Sequence, residues 1–159
     1  MGQTLILVRH AQARHGGGRD ELRPLTRAGQ EQARQLARRV KDLIANGVIV
    51  HSPAVRALQT AQEVARESGA ELLQLNELYY ADEYDLLRSI PAFTGPVMVV
   101  GHAPTIPYAA ALIALGEGSD LIVARGCPTA TAYVFEAADL TQIRPASAAL
   151  KDLIVTPAR

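Results

Sequence analysis

Arg9 and His10 stand together at the end of an apolar run, and a second histidine, His102, follows Gly101 at the end of another. Between them in the chain lie Ser52 with Arg56, and Glu77. Arginine offers a fixed fork of donors that holds phosphate oxygens two at a time. A neutral imidazole nitrogen can attack phosphorus and carry the group as a covalent phosphohistidine. A second histidine and a carboxylate can stabilise charge or move protons. The inventory suits a phosphoryl group, which brings several acceptor oxygens and about two negative charges near pH 7. Metal chemistry has little support. Cys127 is the only cysteine, and neither His10 nor His102 has a closely spaced ligand partner of the HExxH kind.

Each of these residues has a plainer reading. A lone histidine or arginine at a strand end is usually a surface or capping residue, and Glu77 alone reads as a solvated loop acid. His15, Arg19 and Arg23 are either substrate-loop residues or simply solvated, and His51 is open in the same way. Cys127, before Pro128, reads as structural. What sets the plain readings aside is convergence, and that depends on the elements.

Leu5-Ile6-Leu7-Val8 is a short continuous apolar run, the pattern of a strand buried on both faces of a parallel sheet. The loop after it, residues 12–23, is polar and contains Gly16-Gly17-Gly18. Thr26 is a helix N-cap, apolar residues recur at helical spacing from Ala33 to Ile44, and Asn46-Gly47 is the stop signal. Val48-Ile49-Val50 is the second strand. Ser52 as N-cap with Pro53 at the first helical position opens the next helix, which Gly69 ends. A third strand covers residues 71–75, and Asp82 caps a short helix closed by Pro91. Val97 to Val100 is the fourth strand, followed by a helix over residues 104–115. Residues 131–136 and 150–155 read as antiparallel edge strands. The alternation of strands and helices predicts an α/β three-layer sandwich with a mostly parallel central sheet. Parallel strands bring Arg9-His10, Ser52 with Arg56, Glu77 and His102 to one sheet edge, where open α/β sheets bind ligands.

Composition bounds the rest. At 159 residues the chain is expected to form a single domain over 1–159. Lys+Arg and Asp+Glu both total 16, so no net field favours nucleic acid or an anionic membrane, and any anion site must be built locally. With no tryptophan and two phenylalanines, a base-stacking surface is not expected. The early strand, the lack of a signal-like start and the single cysteine predict a cytoplasmic protein. Nothing in the sequence specifies an oligomeric state.

At these residues the sequence resembles the histidine phosphatase superfamily, the phosphoglycerate mutase-like proteins. Leu7-Val8-Arg9-His10-Ala11 is similar to the opening "RHG" signature, with Ala11 for the usual glycine. The segment from Ser52 to Ala61, SPAVRALQTA, resembles the "SPxxRAxQTA" segment, and Val100-Gly101-His102-Ala103-Pro104 resembles the second histidine motif. Arg23-Pro24-Leu25-Thr26-Arg27-Ala28-Gly29 and the short insertions resemble the SixA-type phosphohistidine phosphatases. The resemblance implies that His10 is the nucleophile and that Arg9, Arg56 and His102 form the rest of the phosphate pocket, with Ala103 among the substrate-binding residues. It also implies a proton-donating acid in the Asn76–Tyr80 segment, for which Glu77 is the candidate. The expected reaction is a two-step phosphoryl transfer in which a protonated His102 shares the charge and no metal or organic cofactor is needed. Three substrate readings follow. The first is a phosphohistidine-bearing protein, the second a small phosphomonoester, and the third a phosphate-binding module without catalysis.

Overall fold

The computed structural model describes residues 2–158. The Leu5–Val8 run lies inside β1, Gln3–Arg9, and its four residues are fully buried. Its side chains alternate between two faces. Leu5 and Leu7 pack with Val99, Ile106 and Ile113, whereas Ile6 and Val8 pack with Leu36, Ala61 and Val64. A strand covered on both sides has no solvent-facing positions, which is why the apolar run is unbroken.

The other strands are β2, Val48–His51; β3, Glu71–Gln74; β4, Val97–Gly101; β5, Ala132–Ala137; and β6, Ala149–Ile154. They form one sheet in the order β3-β2-β4-β1-β5-β6. The first four neighbours run parallel, with Val8 opposite Val100 and Val50 opposite Val99. The two C-terminal strands add antiparallel, β5 against β1 and β6 at the outer edge. Helices α1, Arg27–Val40, and α2, Val55–Ser68, cover one face; α3, Glu83–Ser89, α4, Thr105–Ile113, and α5, Gly118–Arg125, cover the other. This is the three-layer α/β sandwich that the alternation predicts. Among the described residues, no helix is long and apolar enough to cross a membrane.

Several local signals act as read. Thr26 caps α1, its hydroxyl accepting from the Gly29 N–H at 2.9 Å. Asp82 and Asp85 form a reciprocal capping box at the start of α3. Two helix boundaries and one whole helix differ. Helix α1 ends at Val40 and not at Asn46, because the Leu43 N–H reaches back to the Val40 carbonyl at 2.9 Å and tightens the last turn. Helix α2 starts at Val55 with Ala54 as its N-cap. The Ser52 hydroxyl is drawn instead to the sheet edge, where it accepts from the Ala54 N–H and pairs with His102. Helix α5 has no counterpart in the reading of the sequence. Only Ile122 of its residues is buried, so there is no apolar stripe to recognise.

Candidate active site

The C-terminal ends of β1, β2 and β4 open on a cavity of about 600 Å³. Arg9, His10, Arg56, His102 and Ala103 line it together, joined by Asp20, Arg23, Tyr79 and His15 among others. Residues as far apart in sequence as Arg9 and Ala103 thus meet because parallel strands end at the same edge.

His10 forms the floor. Its backbone is clamped from both sides, its N–H donating to the Gly101 carbonyl at 3.0 Å and its carbonyl accepting from the Ala130 N–H at 3.0 Å. Its side chain is 7% exposed. The Nδ1 atom lies 2.7 Å from the Ala11 carbonyl. A carbonyl only accepts, so Nδ1 carries the hydrogen and Nε2 keeps its lone pair. Burial pushes the His10 pKa down to about 3, and the charges of His102, Arg56 and Arg9 push the same way against the Ala11 hydrogen bond. The ring is neutral near pH 7 and holds an available nitrogen.

Ala11 occupies the position of the resembled glycine without strain, since it is absent from the residues with positive φ. Its N–H donates to the Thr60 hydroxyl at 3.0 Å, and that hydroxyl donates to the Arg56 carbonyl at 2.8 Å. The first turn of α2 is thereby tied to the backbone of the nucleophile. Farther along, Gln32 is 2% exposed and its amide accepts from the Gln12 N–H while donating to the Thr129 and Thr156 carbonyls. That network fixes the start of the loop that leaves His10.

Two guanidinium groups flank the floor. Arg9 donates through Nη1 to the Cys127 carbonyl at 2.7 Å, which orients the fork. Arg56 is 5% exposed and donates to the Asp20 carbonyl at 2.9 Å and the Asp20 carboxylate at 3.0 Å. The Nε atoms of both arginines, and Nδ1 of His102, are buried without hydrogen-bond partners. Three buried donors of this kind are costly unless an acceptor meets them. A phosphoryl group provides such acceptors.

His102 is held by Ser52. Ser52 is fully buried and its oxygen accepts from the Ala54 N–H; among the described hydrogen bonds the one acceptor within reach of its own hydrogen is His102 Nε2, at 2.8 Å. That assignment leaves the His102 hydrogen on Nδ1, the unpartnered atom. Burial, aided by the Arg56 charge, pushes the His102 pKa down to about 4. In the free site the ring is therefore neutral near pH 7; the expected protonated His102 belongs to the site with a phosphoryl group in it, whose negative charge acts in the opposite direction. Its centroid lies 5.3 Å from that of His10.

Glu77 is not brought into this cavity. In the 3-10 turn Asn76–Tyr79, Leu78 is the residue driven into the core and Tyr79 faces the cavity, which leaves Glu77 exposed. It lines a separate surface depression with Asp85 and Arg88. The carboxylate that does reach the cavity is Asp20, from the 3-10 turn Asp20–Leu22. It accepts from Arg23 Nε at 2.9 Å, from Arg56, and in a very short contact from the Tyr79 hydroxyl. Tyr79 first, then Arg23 and Arg56, holds the Asp20 carboxyl well below the usual carboxylate range.

His15 and Arg23 belong to the cavity wall, whereas Arg19 pairs outward with Glu21. His51 is buried beneath, bonded through Nδ1 to the Ser52 carbonyl at 2.9 Å, and does not line the cavity. Burial pushes the Cys127 thiol up, so it stays protonated; what Cys127 gives the site is its carbonyl. Among the described residues, no group of three or more His, Cys, Asp or Glu could hold a metal ion.

Residues 5–83 match the histidine phosphatase superfamily, branch 1. No curated protein sequence matches the chain. Two solved structures provisionally classed as SixA phosphohistidine phosphatases superpose over almost the whole molecule. That from Nakamurella multipartitia is 30% identical, with a TM-score of 0.83 over 99% of this chain and 98% of its own. That from Agrobacterium tumefaciens is 29% identical, with a TM-score of 0.82 over 98% of this chain and 99% of its own. The protein histidine phosphatase SixA in complex with tungstate is 22% identical and shares the fold, with a TM-score of 0.79 over 96% of this chain and 97% of its own. On the match through its motifs and on relatives that align from end to end, the chain belongs to the histidine phosphatase superfamily.

Proposed function

We propose that this phosphatase removes the phosphoryl group from phosphohistidine side chains of proteins, with His10 as the nucleophile. The observation that carries the reading is the pairing of a neutral, buried His10 Nε2 with a cavity whose carboxylate, Asp20, is held ionised. An oxygen leaving group needs a proton as its bond to phosphorus breaks, and an ionised carboxylate has none to give. A nitrogen leaving group that is already protonated on its distal atom does not need one. The names of the two aligned relatives point the same way.

In the first step His10 Nε2 attacks phosphorus in line with the leaving nitrogen. The guanidinium groups of Arg9 and Arg56 and the ring of His102, all on the cavity lining, meet the nonbridging oxygens, and their fixed placement carries most of the rate acceleration. Ala103, beside His102, lines the same cavity. In the second step water displaces phosphate from His10. The Ala11 carbonyl keeps the hydrogen on Nδ1 throughout, so the phosphorylated ring is a cation and leaves readily as neutral imidazole.

The test is phosphate release from a phosphohistidine protein and from an aryl phosphate, with His10→Ala as control and a chelator present. His10-dependent release that favours the phosphohistidine protein is expected. Release that favours the aryl phosphate would replace this reading with a small-molecule phosphatase, and His10-independent release would remove the nucleophile.

A further inference from the structure

Asp20 is in an unusual place for an acidic residue, since it lies in a cavity shaped for an anion. Its side chain is 53% exposed, against 6% for Arg56, to which it is paired. His10 lies at the floor and Asp20 therefore at the mouth. In-line transfer sends the leaving group away from the nucleophile, toward that mouth. A carboxylate there repels a departing oxyanion and attracts a departing group that bears an N–H.

Its hydrogen-bond capacity is not exhausted. An ionised carboxylate has about four acceptor directions. Oδ2 is occupied by Arg56 and Tyr79, while Oδ1 takes only Arg23. One direction on Oδ1 remains for a ligand.

Resting on the phosphohistidine reading above, we propose that Asp20 is the leaving-group specificity residue, accepting the distal N–H of the substrate imidazole. The step then balances without a proton donor. The substrate ring enters as the imidazolium cation, phosphorus on one nitrogen and hydrogen on the other, the form that the Asp20 carboxylate favours. As the P–N bond breaks, its electron pair stays on the leaving nitrogen, and the ring departs as neutral imidazole with its N–H on Asp20. The His10 Nε2 lone pair forms the new P–N bond, and His10 becomes the cation, its own N–H on the Ala11 carbonyl. Phosphorus thus passes between two imidazoles, each with an oxygen acceptor behind its far nitrogen. An aryl phosphate has no such hydrogen and sends a developing phenolate toward Asp20.

The test compares kcat/KM for phosphoimidazole and p-nitrophenyl phosphate in wild type, Asp20→Asn and Asp20→Glu. In Asp20→Asn the ratio of the two should fall at least about tenfold, the size of one charge-assisted hydrogen bond. Asp20→Glu, which keeps the charge, should recover part of the ratio. Equal losses on both substrates would show that Asp20 only holds Arg56 in place and would overturn the proposal. Wild type that turns over p-nitrophenyl phosphate but neither phosphoimidazole nor a phosphohistidine protein would overturn the phosphohistidine reading, and the role of Asp20 with it. A ratio that falls equally in Asp20→Glu would reject charge as its cause.

Discussion

The floor and the mouth of the cavity are built differently. At the floor, His10, Ser52, Arg56 and Thr60 are buried, and a continuous chain of hydrogen bonds runs from Ala11 through Thr60 to Arg56. At the mouth, residues 14–20 are exposed, and Asp20 is held chiefly by side chains that reach out to it. Groups that must meet developing charge need their geometry fixed in advance, and packing at a sheet edge provides that. Groups that distinguish one leaving group from another can sit on a segment with few buried contacts, where local opening costs less. The two jobs are assigned to different kinds of structure.

The largest expected contrast is between two arginines. Arg56→Ala, at the floor, should lower kcat by at least about 10²-fold, as for a lost oxyanion donor. Arg23→Ala, at the mouth, should cost much less. Steady-state kinetics on the same substrate check this, and equal losses would erase the distinction between floor and mouth.

A second contrast concerns stability. A Cβ at Gly29 would lie 1.9 Å from the Gln12 carbonyl oxygen, so Gly29→Ala should force the loop behind His10 to shift and cost roughly 1–3 kcal/mol. At Gly17 nothing lies within 4 Å, and Gly17→Ala pays only for its φ of +71°, about 1 kcal/mol. Thermal melts should rank the variants in that order, and a Gly29→Ala protein as stable as wild type would refute the close approach.

The floor histidines also set a response to acid. Both have folded pKa values below the ordinary 6.5, His10 at about 3 and His102 at about 4. Between about pH 6.5 and 4 the unfolded chain therefore binds more protons than the native one, and stability falls as the pH falls. Each histidine contributes a slope of up to about 1.4 kcal/mol per pH unit. Melting temperatures from pH 7 to 4.5 should show this decline, and His10→Gln should make it shallower. An unchanged slope in that variant would mean that His10 is not held neutral.

The smallest effect is expected outside the cavity altogether. Glu77→Gln should leave kcat/KM within about twofold on any substrate, since surface changes away from special features cost little. A tenfold loss would return Glu77 to the acid's role.

How legible these parts were follows the same division. Arg9, His10, Arg56 and His102 could be placed together because strand ends are readable from apolar runs and parallel topology brings them to one edge. The phosphatase chemistry follows from their types. Asp20 was not legible. An acid next to Glu21 and between arginines looks like a solvated loop residue, and its pairing with Arg56 spans 36 positions. The faint signal was its place three residues before Arg23, to which it bonds. Ser52 was seen, but as a helix cap, because a backbone cap and a histidine partner look alike in sequence. Glu77 was misplaced by the phase of a single 3-10 turn. That phase depends on which of Leu78 and its neighbours the core accepts, and periodicity over four residues cannot set it.

Gly16, Gly17 and Gly18 bear on the history such a scaffold can have. Each has positive φ, and none has an atom within 4 Å of where a Cβ would stand. Gly16 also lies on the cavity wall. Extra chain spliced in here would meet no packed neighbour and would overhang the opening. One insertion could therefore turn a shallow basin, suited to a side chain presented by another macromolecule, into a vestibule that encloses a free metabolite. The buried phosphoryl machinery beneath it would not have to change.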